Sequence, residues 1–381
     1  MIMDGLISPC RYAISNMHGA MLFSLASVLV MTAAIPLTAE GFLCAGFLRA
    51  GIDPLPIEIV AKSAQLSTVG TRSAIVIFAN FRGENPGQDQ APSWSERIFD
   101  PERPGSFSHF YDTMSFNHLR VRGAVAPRRY ESVHKADFYL ATASTELGHY
   151  GQFALEILEQ ADTDIDFSHF DNDGPDGIPN SGDDDGLVDA LFIIVASTPR
   201  NFLLGGATGI AYLNLDDERV EDRNRLEGPS FVTDDSAPNG TLIQIASHLG
   251  SLQQGRSFSE TVGSMCHEYG HTLGLPDLFN TAFLQSEEPL GPEKDSAGIG
   301  AWGLMGWGTL GWNRNDGPNS FSVWSRVQLG WSSVQRLARE HETIELTDTA
   351  QGGSAFILSL SKQGNETITR MSSNPAKHTR E

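Results

Sequence analysis

Positive charge is scarce in this sequence. Against 47 Asp and Glu there are 26 Lys and Arg, a formal net charge of −21 over 381 residues. Such a balance disfavours nucleic acid or an anionic membrane as a partner. It fits a soluble secreted protein, or one that holds calcium. Cysteine is as rare: Cys10, Cys44 and Cys266 are the three in the chain, too few for a disulfide framework. Cys10 precedes the apolar N-terminal segment, so export would remove it, and Cys266 reads as a small buried residue. No flanking motif supports a Cys44 thiolate capping a metal in a latent form. Internal repeats at solenoid periods are absent as well. Hydrophobic residues at 40% and charged residues at 19% describe an ordinary globular chain, large enough for one big domain or two modest ones.

Four regions follow from composition. Residues 19–39 carry no charge, and Leu37-Thr38-Ala39 offers a cleavage site before Glu40, so 1–39 is expected to be a secretory signal peptide. Residues 40–72, with Pro54, Pro56 and a polar run, read as a short pro-segment or linker. Residues 73–335 should form the main domain, and 336–381 a partial β segment followed by a tail that turns polar and unstructured after Lys362. No stable membrane association is expected once the signal peptide is gone.

Within the main domain, Ser73 to Phe81 is a continuous apolar run and predicts a buried first strand. Helices are expected at 106–114, 151–160 and 320–329, and strands at 119–123, 190–196, 343–346 and 355–360. Thr241 to Ala246 alternates and is expected to be the sheet edge beside a cleft, where an extended substrate could add. The segment 281–297 reads as a surface loop.

Asp162 to Asp189 holds ten aspartates and no Lys or Arg. Aspartates at alternate positions with glycine at the turn suit oxygen-coordinated calcium. Asp171, Asp173, Asp183, Asp185 and Asp189 are the expected ligands. The full EF-hand pattern is not met, because its closing glutamate is missing; a solvated acidic loop is the competing reading.

The strongest signal runs from His267 to Asp277, H-E-Y-G-H-T-L-G-L-P-D. Ser257 and Glu260 form a capping-box pattern that starts a helix ahead of it. On that helix His267 and His271 project from one face, a turn apart. Glu268 stands beside the first histidine, where its carboxylate can reach a metal-bound water without ligating the metal. Gly274 should end the helix in left-handed geometry, and Pro276 stiffens the return that brings Asp277 up as a third ligand. Two histidines, a carboxylate and a neighbouring glutamate are the zinc-hydrolase arrangement.

H-E-Y-G-H-T-L-G-L-P-D-L-F, then G-I-G-A-W-G-L-M and V-W-S-R-V-Q-L-G-W, resemble the secreted bacterial metallopeptidases of the immune inhibitor A type, within the metzincin group. The F-Y-D-T-M-S-F-N, D-F-S-H-F-D-N-D-G and V-D-A-L-F-I-I-V blocks extend the likeness over residues 73–335. The resemblance implies an α+β, zincin-like catalytic domain: a twisted mixed sheet, an active-site helix, a cleft and a smaller C-terminal subdomain. It implies His267, His271 and Asp277 as zinc ligands, Glu268 as general base, and Met305 as the methionine of the turn beneath the metal. Proteins or peptides would be the substrates. The short pro-segment, the long 281–297 loop and the polar C-terminus depart from the family. So does the absence of any tyrosine after Tyr269, which removes the tyrosine some metzincins place beyond the methionine turn. A calcium-dependent binding protein that keeps the fold without the activity is the alternative.

Overall fold

The first apolar run is strand β1, Gly70–Asn80, in the computed structural model, which describes residues 67–84, 89–281, 298–313, 315–337, 348, 352–359 and 369–372. The elements that follow it are α1 (Phe107–Met114), β2 (Leu119–Val125), β3 (Tyr130–Glu131), α2 (Ala136–Tyr139), α3 (Tyr150–Ala161), β4 (Ala190–Val195) and β5 (Gly209–Ile210). Next come β6 (Leu226–Glu227), β7 (Ser230–Ser236), β8 (Leu242–Ala246), β9 (Gly250–Gln254) and α4 (Phe258–Thr272). The last are α5 (Val323–Gln328), β10 (Val334–Arg336), β11 (Ala355–Ser359) and β12 (Thr369–Ser372).

The main sheet has the order β2-β1-β4-β9-β5, with β3 pairing on the end of β1. Its strands are parallel except β5, which runs antiparallel to β9. Parallel strands are covered on both faces, and β1 shows why its sequence is an unbroken apolar run. Ile75, Ile77 and Ala79 face a core that includes Phe153, Leu155 and Leu158 of α3. Ala74, Val76 and Phe78 face a second core with Phe107 and Tyr111 of α1 and Val262, Met265 and Tyr269 of α4. Each fully buried Val, Leu, Ile, Phe or Met side chain among these stabilises the fold by about 1.5–3 kcal/mol. The helix that carries the histidines is thus clamped against the middle of the sheet.

Two expectations change. Thr241 to Ala246 does not edge the main sheet: β8 pairs with β7 in a separate three-stranded sheet, β6-β7-β8. The antiparallel edge is β5, only two residues long. Thr369–Ser372, expected to lack structure, pairs antiparallel with β11, because β11 offers it a free line of main-chain groups. The signal peptide and most of the pro-segment, the 343–346 strand and residues 282–297 lie outside the described residues. No described helix is long and apolar enough to cross a membrane.

Candidate metal centre

Helix α4 begins where the capping residues place it. Ser257 Oγ accepts the Glu260 N–H at 3.3 Å, satisfying one of the orphan donors of the first turn. The Glu260 carboxylate reaches back one residue further than in the usual box. It accepts from the Arg256 main-chain N–H at 2.6 Å and from Gln254 Nε2 at 2.9 Å. The helix is thereby tied to the end of β9. At the far end, Gly274 takes φ +94°, and the chain folds back so that the Leu275 N–H donates to the Gly270 carbonyl at 3.0 Å. That reversal carries Asp277 over the last turn.

His267, His271 and Asp277 meet at one point. His267 Nε2 and His271 Nε2 are 3.2 Å apart, and Asp277 Oδ1 lies 3.2 Å from the first and 3.4 Å from the second. A tetrahedral ion holding ligands at about 2.0–2.1 Å spaces its donors about 3.3–3.4 Å apart. The triangle therefore has the edges that zinc requires. All three side chains are at most 5% exposed, and Asp277 Oδ2 is buried with no hydrogen-bond partner. A carboxylate oxygen left that way costs stability unless a cation or donor meets it. The donor set fits zinc.

Main-chain carbonyls fix the imidazoles. His267 Nδ1 donates to the Leu304 carbonyl and His271 Nδ1 to the Leu275 carbonyl, each at 2.8 Å. With the protons on Nδ1, both Nε2 lone pairs point at the centre. Thr309 Oγ1 also lies 3.3 Å from His267 Nδ1. Burial alone would disfavour a charged His271. The Asp277 carboxylate and its hydrogen bond, with the Glu268 carboxylate and the Leu275 carbonyl, override it and raise the group to about 9. Burial likewise opposes ionisation of Asp277, yet the two histidines hold it well below the usual carboxylate range. The site wants its carboxylate ionised and a positive charge beside it.

Glu268, the residue after His267, is fully buried. Met305 is fully buried too, packed against Gly270 between the two histidines. The segment carrying it is pinned to the turn after α4, since the Leu278 N–H donates to the Met305 carbonyl at 2.7 Å.

The aspartate loop gathers a second cluster. Carboxylate oxygens of Asp171, Asp173 and Asp184 lie within 4.8 Å of one another. Asp171 is 1% exposed, and its Oδ1 has no partner. Burial, then Asp184, Asp185 and Asp173, push its carboxyl up to about 7. The acidic side chains of the loop also accept hydrogen bonds, Asp184 among them, from the Gly174 N–H at 2.8 Å and the Ser181 N–H at 2.9 Å. Asp183 accepts from Ser181 Oγ, Asp185 Oδ1 from the Leu187 N–H at 2.8 Å, and Asp189 Oδ2 from the Ser73 N–H on β1 at 2.7 Å. Asp184 is the member that alternation did not select. It sits between two aspartates in D-D-D, where spacing cannot say which side chain turns inward.

The family model for the immune inhibitor A peptidase M6 catalytic domain matches residues 93–332, a span that contains both clusters. Immune inhibitor A of Bacillus thuringiensis subsp. alesti is 29% identical over 294 residues, 68% of this chain and 39% of that protein. The chain spans about two fifths of the length of that curated relative.

Proposed function

Because this chain belongs to the immune inhibitor A peptidase M6 family, we propose that it is a secreted zinc-dependent endopeptidase with Glu268 as general base. The observation that carries the reading is the 3.2–3.4 Å triangle of His267, His271 and Asp277, with a buried glutamate beside it. Zinc held there supplies a Lewis acid that polarises the scissile carbonyl and makes water acidic enough to attack near neutral pH. The rest is done by the chain. The Leu304 and Leu275 carbonyls keep each Nε2 free for the metal. Glu268 accepts the proton of the attacking water and passes it to the leaving amine. Asp277 in place of a third imidazole makes the donor set one charge more negative, which tightens the hold on zinc while tempering its electrophilicity. Met305, as the methionine of a metzincin-type turn, is the apolar floor beneath the ligands.

The same reading gives the aspartate loop a calcium ion, held by Asp171, Asp173 and Asp184, with the unpartnered Asp171 Oδ1 as its best support.

Purified Glu268→Ala should keep zinc and lose cleavage of casein, whereas His271→Ala should lose both. Glu268→Ala cleaving as fast as the parent would remove the assigned base. A parent protein that loads zinc and cleaves nothing would favour the binding-protein alternative.

A further inference from the structure

Three tryptophans stand out on the segment that underlies the metal centre. Trp302 is 70% exposed, Trp312 56% and Trp307 43%. Large aromatic surface normally goes inward. The rings of Trp302 and Trp312 meet edge to face at 4.8 Å, forming one apolar step. Residues 298–313 carry no charged side chain, in a protein whose net charge is −21.

The step is linked to the site through the chain that carries it. Trp302 lies two residues before Leu304, whose carbonyl fixes His267. Trp307 lies two residues after Met305, and Thr309 beyond it also touches His267. The backbone between them is held firmly. The Trp307 N–H donates to the Gly300 carbonyl at 2.8 Å, and the Leu304 N–H to Ser320 at 3.0 Å. Asn319 Nδ2 donates to the Ala301 carbonyl at 2.6 Å. A platform ordered before binding spends little conformational entropy on capture.

We propose that Trp302 and Trp312 form a specificity platform that receives an aromatic or large aliphatic side chain of the polypeptide substrate, next to the bond to be cut. The inference rests on the peptidase reading and adds a substrate class to it. Among possible occupants, a polypeptide fits better than a lipid surface. The platform is only two rings wide, and it is fastened to residues that touch the metal ligands.

The test pairs two readouts on the full-length, zinc-loaded protein. The first compares kcat/KM for peptides that differ only in Phe or Ser beside the scissile bond. The parent should prefer Phe; Trp302→Ala and Trp312→Ala should each lose about fivefold or more on the Phe peptide, mostly in KM, and little on the Ser peptide. Trp302→Phe should restore most of the loss. The second readout is calorimetric binding of the Phe peptide to Glu268→Ala, with and without Trp302→Ala. Weaker binding on loss of Trp302 supports the platform even if the parent proves inactive, in which case only the catalytic reading falls. Equal binding and equal preference would overturn it. So would tryptophan emission that shifts with phosphatidylcholine vesicles while peptide selection is unchanged.

Discussion

Gly270 has no side chain where Met305 has its sulfur. A Cβ at Gly270 would stand 2.6 Å from Met305 Sδ and 3.3 Å from the Phe321 ring. Both neighbours are buried, so neither can step aside without disturbing the core. Gly270→Ala gains about 0.5–1 kcal/mol of helix propensity, but overpacking costs about 1–3 kcal/mol. The expected net result is a lower Tm, together with weaker zinc retention, because His267 and His271 bracket the strained position. An unchanged Tm and full zinc content in the variant would show that the floor yields more easily than this.

Glu260 ties the start of α4 to the end of β9 through Arg256 N–H and Gln254 Nε2. Replacing one carboxylate oxygen by an amide, in Glu260→Gln, turns a donor toward groups that already donate. Hydrogen bonds to a charged partner contribute about 1.5–3 kcal/mol, so a loss of that order is expected. Denaturant titration should give a lower midpoint with the slope preserved. A midpoint equal to the parent's would mean that Ser257 alone anchors the helix.

Much of the site can be read from residues 257–277, because helix periodicity, a cap and a positive-φ glycine are local properties. The apolar runs that become β1 and β4 are equally plain, since strands buried on both faces need no alternation. What escapes is set by distant partners. Strand β5, Gly209–Ile210, has no pattern of its own and exists because β9 pairs with it. β8 alternates like an edge strand, yet β7 rather than β9 takes it up. Thr309 and the Leu304 carbonyl reach His267 across roughly forty residues of chain, and nothing around them announces it. The acidic loop shows the same limit: alternation along the sequence cannot tell that Asp184 brings a carboxylate oxygen close to those of Asp171 and Asp173.

The loop also makes stability depend on pH. Burial, followed by neighbouring carboxylates, raises Asp171 to about 7. Asp189 reaches about 8, again chiefly through burial. Both lie above the ordinary aspartate value near 3.8, so the folded state holds protons that the unfolded chain releases. In chelator this contribution should be complete below about pH 4 and lost as pH rises through 7 to 8. Calcium should compete with the proton on Asp171 and flatten the decline. Thermal melts across pH, with chelator and with excess calcium, provide the check. Two parallel curves would remove the cation from the loop.

Zinc content should follow the ligand set rather than the acidic loop. Asp277→Ala is expected to weaken zinc retention by at least tenfold, measured by competition with a chromophoric chelator, while Asp184→Ala should leave it unchanged. Equal zinc affinity in the parent and Asp277→Ala would exclude the carboxylate from the centre.

X-ray absorption at the zinc edge of the purified protein tests the centre most directly. Two imidazole ligands with oxygen donors at about 2.0–2.1 Å, and no sulfur shell, are expected at one zinc per chain. A sulfur shell near about 2.3 Å, fewer than two imidazoles, or protein that takes up no stoichiometric zinc would contradict the account.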